Sequence, residues 1–497
     1  MSTHSKEEIV RSVPQKGFFG HPKGLFTLFF TEFWERFSYY GMRALLLYYM
    51  YTEVASGGLG IDDGTAKSIM AIYGSLVYMS GIIGGWIADR LLGTQQTVFY
   101  GGVLIMAGHI VLALPAGTTG LFISMFLIVV GTGLLKPNVS SVVGDLYSPR
   151  DVRRDSGFSI FYMGINMGAL IAPLVVGTLG QEFNYHLGFG VAAIGMLLGL
   201  IVFVVTKKKY LGLAGTYVPN PLEQDEKKKV YSRIGIGALI VVILGAITIP
   251  TGILTINGFT YLVSILGILI PTIYFIVMYR SPKTTADEKS RLVAYIPLFI
   301  AAIMFWAIQE QGSIILAEYA DKRTELSFLG LELQSSWFQS LNPLFIVILA
   351  PIFAGFWMKL GERQPSTPKK FSIGLLFAGL SFLVMIIPAT INGTDSLVSP
   401  IWLVLSFLLV VIGELCLSPV GLSATTKLAP QAFSAQTMSL WFLSNASAQA
   451  INAQIVKLYT PETEVIYFGV IGGVAILLGF MLYLLSKKIQ HFMKGVR

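Results

Sequence analysis

Thr31–Arg43 reads TEFWERFSYYGMR and lies inside the first long apolar stretch of the chain. It sets Glu32, Glu35, Arg36 and Arg43 among aromatic and aliphatic residues, where a membrane span is expected. At about 100° per residue, a helix places Arg36, Tyr39 and Arg43 within roughly 40° of Glu32, and Glu35 about 60° to one side. Each charge at the centre of a lipid-facing helix costs about 2.5–3.5 kcal/mol on insertion scales. The stripe therefore faces other charges, a substrate or water. It reads as the wall of a polar transport cavity.

The rest of the chain agrees with a membrane setting. Of 497 residues, 54% are hydrophobic and 12% charged, with a mean hydropathy of +0.69. A soluble protein carries about 25% charged residues. Apolar runs of roughly 20 residues recur from end to end, the length a spanning helix needs. Length then means one bundle of many helices rather than several soluble domains. The net charge of +8 comes from short basic clusters at span ends, which is a membrane-orientation pattern and no nucleic-acid patch. The single Cys416 excludes an intramolecular disulfide and a thiolate metal cluster, and the five histidines are scattered. No short apolar core with a cleavage site follows the polar first 24 residues, so no cleaved signal peptide is expected.

Candidate spans lie near 25–52, 66–89, 95–115, 119–146, 157–180 and 187–206, then 234–256 and 258–279, then 292–318, 333–359, 370–391, 399–428, 432–457 and 465–486. The expected organisation is an N-terminal segment 1–24, a six-helix bundle 25–206, basic linkers around an inserted hairpin 207–291, a second six-helix bundle 292–486, and a tail 487–497. Arg90, Arg150, Arg153, Arg154, the clusters Lys207–Arg233 and Arg280–Arg291, Lys359–Lys370, Lys427 and the tail fall on one side. The opposite loops hold only Lys67, Lys322, Arg323 and Lys457, beside several acids. This asymmetry puts both termini in the cytoplasm. The inserted pair has no charge between Arg233 and Arg280, so a peripheral, structural role is expected. Glycines four apart, Gly81/Gly85, Gly164/Gly168 and Gly469/Gly473, suggest close helix contacts.

Few other ionisable residues fall inside apolar runs: Lys136 in GTGLLKPN, Glu310 in FWAIQEQG and Glu414 in VIGELCLSP. Intramembrane charges are functional candidates by default. Arg36 and Lys136 in the N-terminal half would form a positive pole; Glu310 and Glu414 in the C-terminal half would form a negative one. A zwitterion of matching length satisfies both. Tyr39, Tyr40, Tyr78, Tyr162, Trp306 and Trp441 fall in spans near these charges, as do the amides Asn166, Asn342 and Asn445, which serve either packing or ligand. His109, alone in an apolar run, reads as a satisfied bundle residue, and Asp89-Arg90 as a latch or a solvated pair. There is no G-x-x-x-x-G-K-[ST] loop and no G-x-G-x-x-G strand–helix unit, so uphill transport has to use an ion gradient. Glu32, Glu35 and Glu310 beside arginines are the candidates for proton coupling.

At these residues the sequence resembles the proton-dependent oligopeptide transporter (POT) family of the major facilitator superfamily. The signature E-x-x-E-R-F-x-Y-Y-G runs unbroken from Glu32 to Gly41, F-Y-x-x-I-N-x-G from Phe161 to Gly168, and G-x-x-x-D-R from Gly85 to Arg90. The resemblance implies an all-α membrane protein of the major facilitator fold: two six-helix bundles plus an inserted hairpin, fourteen transmembrane helices in all. It implies a proton-coupled symporter that imports di- and tripeptides by alternating access, with no enzymatic activity, metal or cofactor beyond the proton gradient. Glu32, Glu35, Arg36, Lys136 and Glu310 would couple protons; Arg36 and Lys136 would take the peptide carboxylate. Glu414, Asn166 and Asn342 would meet the amino end, and Tyr39, Tyr40, Tyr78, Trp306 and Trp441 would wall the pocket. Arg43 and Glu310 would close the extracellular side, with Lys136 and Glu414 also gating. Peptides, protons and the lipid bilayer are the expected partners, without nucleic acid, for a monomer in a bacterial inner membrane. The alternative is a polyspecific drug, metabolite or small-anion transporter of the same fold, which would not need both Lys136 and Glu414 for a neutral substrate.

Overall fold

The computed structural model describes residues 5–495 apart from 149, 150, 219, 220, 249, 250, 253, 254 and 329. The chain forms an all-α bundle in which each apolar run becomes a long helix. The first six are α1 (Gly24–Tyr51), α2 (Asp63–Ile87), α3 (Thr94–Ala113), α4 (Gly117–Asp145), α5 (Arg154–Ala172) and α6 (Tyr185–Tyr210). An inserted pair follows, α7 (Gln224–Thr248) and α8 (Ile256–Arg280). The last six are α9 (Ala286–Glu310), α10 (Leu341–Leu360), α11 (Thr367–Leu383), α12 (Ile401–Leu428), α13 (Ser434–Ile455) and α14 (Glu464–Phe492). With an even number of crossings, both described ends of the chain lie at one end of the bundle, here the terminal end.

Eleven of these helices are long and apolar enough to cross a membrane by themselves. Among the remaining helices, α1 and α13 fall short of that measure in their described residues. α7 starts ten residues before the expected span, so its first turns carry Asp225, Glu226, Lys227, Lys228 and Lys229. α1 carries the charged stripe, and α13 reads SAQTMSLWFLSNASAQAINAQI. These two spans lose apolar character because they turn polar side chains inward.

In the first half α1 packs on α5 and α6, α4 on α2 and α3, and α3 on α6; in the second, α11 packs on α12 and α14, and α9 on α13. The halves meet chiefly through α2 against α13 and α5 against α10. Hydrogen bonds across this seam gather at the end away from the termini. Tyr51 OH donates to Asp321 Oδ2 at 2.5 Å, and Ser68 Oγ to the Ala453 carbonyl at 2.7 Å. Gln181 Nε2 donates to Ser335 Oγ at 2.6 Å, and Trp337 Nε1 to Thr178 Oγ1 at 2.8 Å. Lys67 Nζ lies 2.7 Å from Glu318 Oε2, and Lys322 Nζ 2.5 Å from Asp63 Oδ2.

Several expectations change. The span near 292–318 is not continuous: α9 stops at Glu310, a 3-10 turn covers Gln311–Ser313, and a separate helix runs Ile315–Lys322. Side chains take over the backbone groups that the break releases. Gln339 Nε2 donates to the Gly312 carbonyl at 2.8 Å, and Ser313 Oγ to the Glu310 carbonyl at 3.1 Å. Arg90 Nη2 lies 3.6 Å from Glu226 Oε2 of the inserted segment. His109 is fully buried, yet neither ring nitrogen has a hydrogen-bond partner among the described residues, so it is not a satisfied residue. The inserted hairpin is not merely peripheral: α8 lies against both α13 and α2, one helix from each half.

The glycine reading holds for Gly164 and Gly168, which face Phe29 and Phe33 of α1, but fails at the other two pairs. Gly81, Gly85 and Gly473 face open space, and Gly469 has only ordinary contact with Ile386. The close crossings use Gly84 against Gly133, Gly101 against Gly131, and Gly379 against Gly472. Spacing alone cannot say which face of a helix meets its neighbour. A methyl at Gly84 would overlap the Gly133 backbone, which cannot rotate away. Gly84→Ala is therefore expected to destabilise by about 1–3 kcal/mol. Gly81→Ala should be neutral or stabilising by up to about 1 kcal/mol. Melting temperatures of the two purified variants in one detergent check the contrast; equal values would refute the assigned crossing.

Candidate functional site

Between the halves lies a cavity of about 320 Å³, within the size range of small-molecule sites. α1 contributes Arg36, Tyr40 and Arg43; α2 contributes Tyr78, α4 Lys136, and α5 Tyr162 and Asn166. From the other half come Trp306, Gln309 and Glu310 of α9, Asn342 of α10, Glu414 and Ser418 of α12, and Trp441 and Asn445 of α13. Along α12 the lining runs from Glu414 through Ser418 to Leu422, toward the terminal end.

Why the charges point inward follows from the helices that hold them. On α1, Glu32 and Arg36 are one turn apart, and Arg36 Nε lies 2.7 Å from Glu32 Oε1 and 3.0 Å from Glu35 Oε2. Arg36 thus reaches the cavity while the two carboxylates sit behind it, fully buried. Glu32 Oε2 and both Glu35 oxygens accept no hydrogen bond from the described residues.

Two turns further along α1, Arg43 Nη2 meets Glu310 Oε2 at 2.6 Å, joining the halves through a buried ion pair. Glu310 ends α9, where unpaired carbonyls make a helix terminus unfavourable for an anion. Donors offset this: Asn445 Nδ2 at 3.0 Å from Oε1, Gln449 Nε2 at 2.7 Å from Oε2, and Tyr78 OH at 3.5 Å from Oε1. Lys136 differs from the arginines. Its Nζ lies 4.3 Å from the Tyr78 ring centroid, a cation–π contact, and pairs with no carboxylate among the described residues. Glu414 is its counterpart across the cavity. It accepts from Asn342 Nδ2 at 3.4 Å and pairs with no cation among the described residues.

Aromatic rings close the sides. Trp306 and Trp441 meet edge to face with centroids 6.5 Å apart. Asn166 donates through Nδ2 to the Tyr162 carbonyl at 3.0 Å, one turn back on its own helix, and lines the cavity. Tyr39, expected on the pocket wall, is not among the lining residues; it is buried behind Tyr40, stacked on Tyr73 with centroids 6.4 Å apart. The helical stripe places Tyr39 beside Arg36 and Arg43 in angle, but α2 covers that position. Gln449 was missed by the sequence reading. Its signal is its place one turn after Asn445 on the most polar span.

A family model described as the POT family matches residues 95–474. The chain belongs to that family. The di-/tripeptide transporter of Lactococcus lactis subsp. cremoris is 50% identical over 97% of this chain and 99% of its own. An uncharacterized transporter of Bacillus subtilis, YclF, is 69% identical over the full length of both chains. The crystal structure of a peptide transporter POT (E310Q mutant) in complex with alafosfalin superposes with a TM-score of 0.96 at 68% identity, covering 99% of this chain and 100% of that one. This POT family member is thus a multi-pass membrane protein of the major-facilitator type, and its family is one of transporters.

Proposed function

We propose that this chain is a proton-coupled symporter that imports di- and tripeptides by alternating access across the cell membrane, with both termini in the cytoplasm. The observation that carries the reading is the pair of opposite charges, Lys136 and Glu414, without ionic partners among the described residues and on facing walls of one cavity. Lys136, helped by Arg36, takes the peptide carboxylate; Glu414, with Asn342, takes the amino end. Only the groups common to all short peptides are fixed in this way. Side chains rest against Tyr40, Tyr78, Tyr162, Trp306 and Trp441, which tolerate varied shapes.

Charge balance favours a co-transported proton. Glu32, Glu35, Glu310 and Glu414 face Arg36, Arg43 and Lys136, one negative charge in excess inside a low-dielectric bundle. A zwitterionic peptide leaves that excess unchanged, whereas one proton removes it. Energy comes from the proton gradient and no cofactor or metal takes part. A seam closed away from the termini and a cavity reaching toward them correspond to the inward-facing state. One chain encloses the whole cavity, so the monomer is the working unit, in contact with lipid and not with nucleic acid.

Uptake of a labelled dipeptide into proteoliposomes, with and without an inward proton gradient, tests the proposal. Gradient-driven accumulation is expected in the wild type and is expected to be lost in Glu32→Gln. Wild-type vesicles that move no peptide under any gradient would end the peptide assignment in favour of drug, metabolite or anion substrates. Accumulation surviving in Glu32→Gln would end the proton assignment of that residue.

A further inference from the structure

The Glu310 carboxylate is held from both halves at once. Arg43 reaches it across the seam, while Asn445 and Gln449 reach it from α13 in its own half. When the halves part at this end, Arg43 leaves with α1, and the amides stay. Residues 445 and 449 are one turn apart and share a face of α13. The opposite face of the helix is pinned elsewhere: Ser447 Oγ donates to the Gly267 carbonyl at 2.6 Å, and Ser264 Oγ to the Ala450 carbonyl at 2.6 Å, both on α8. The inserted hairpin thus keeps α13 from turning, and its amides remain aimed at Glu310.

Two further observations mark these amides. Both residues are buried, and their carbonyl oxygens, Asn445 Oδ1 and Gln449 Oε1, accept no hydrogen bond from the described residues. Across the seam, Gly74 of α2 leaves the room that Gln449 occupies; a methyl there would lie 2.5 Å from Gln449 Nε2. An amide can donate through nitrogen or, turned by half a rotation, accept through oxygen. The same pair can therefore hold Glu310 as a carboxylate, by donating, or as a protonated acid, by accepting its O–H.

We infer that Gln449 and Asn445 are positioning residues for Glu310: they hold its side chain once Arg43 withdraws, and they set the pH at which it takes up its proton. The proton adds to one carboxylate oxygen, and no bond other than the new O–H is made or broken. The other ionisable groups around Glu310 are Arg43, Tyr39 and Tyr40 of α1, Tyr78 of α2, Lys136 of α4 and Glu414 of α12. None of these can exchange donor for acceptor without a change of charge except the tyrosines, and Tyr78 OH is the most distant donor at 3.5 Å.

This rests on the proposed peptide–proton symport, and the test separates the two. Peptide uptake by wild type, Gln449→Met, Asn445→Leu and Gly74→Ala is followed as a function of external pH in proteoliposomes. Removing a donor favours the protonated acid, so the pH of half-maximal uptake in Gln449→Met should move up by about one unit. Gly74→Ala, which displaces the Gln449 amide without altering it, should move it the same way. Combined with Glu310→Gln, the Gln449→Met change should have no effect on the profile. Melting temperature and peptide exchange at equal pH report that each variant is folded. Unshifted profiles in folded Gln449→Met and Gly74→Ala, alongside a changed profile in Glu310→Gln, would overturn the inference and leave symport standing. Equal profiles in Glu310→Gln and wild type would remove Glu310 from proton coupling and the inference with it.

Discussion

Lys136→Ala is expected to abolish concentrative peptide uptake, and Glu414→Gln to do nearly the same, each for a different end of the substrate. A charge-assisted hydrogen bond contributes about 1.5–3 kcal/mol, more than a neutral one. Neither residue has an ionic partner among the described residues, so the peptide supplies what those residues leave unpaired. Losing Lys136 should weaken peptide binding by about 10–100-fold. It also removes a base of the site that no carboxylate among the described residues neutralises. Matching the variant to the substrate makes the prediction specific. A dipeptide with a blocked amino end should compete poorly with wild type but lose nothing further against Glu414→Gln. A dipeptide amide should behave the same way toward Lys136→Ala. Competition of each modified peptide against a labelled dipeptide checks this. Equal penalties for both blocked peptides in both variants would reverse the assignment of ends.

The second large effect concerns the seam. Arg43→Ala leaves Glu310 buried at a helix terminus with two amides and a distant phenol, and it removes the ion pair that spans the halves. Breaking a buried pair by deleting one partner costs about 3–5 kcal/mol. That cost falls on the closed arrangement, because only there do the partners meet. The population open at the far end should therefore rise by about two orders of magnitude or more. Cys416 is the one native cysteine, so a Cys416→Ser background allows a reporter. Ser335→Cys, buried against Gln181 and Asp321 at that end, should react slowly with a membrane-impermeant maleimide in the parent and rapidly with Arg43→Ala. Equal labelling rates would mean that Tyr51–Asp321, Lys67–Glu318 and Lys322–Asp63 hold the end closed without Arg43.

The TEFWERFSYYGMR stripe, the count of apolar runs and the basic asymmetry of the loops were enough to read a fourteen-helix membrane transporter, and the resemblance of Glu32–Gly41, Phe161–Gly168 and Gly85–Arg90 to the POT family added the major facilitator fold. They suffice because lipid admits only helices that satisfy their own backbone, and because an intramembrane charge must have a reason. The inward direction of Arg36, Lys136, Glu310 and Glu414 followed from the same cost. What the chain could not disclose alone was which neighbour each helix face would meet. Tyr39 shares the angle of Arg36 and Arg43 but is covered by α2, and Gly84 packs where Gly81 and Gly85 do not. Those outcomes depend on helix rotation and crossing, set by contacts between residues far apart in sequence. The end of α9 at Glu310, the amides of α13 that reach it and the hairpin that holds α13 in place are likewise decisions of the tertiary structure. A carboxylate and its donors more than a hundred residues apart become a unit only when the two halves close on each other.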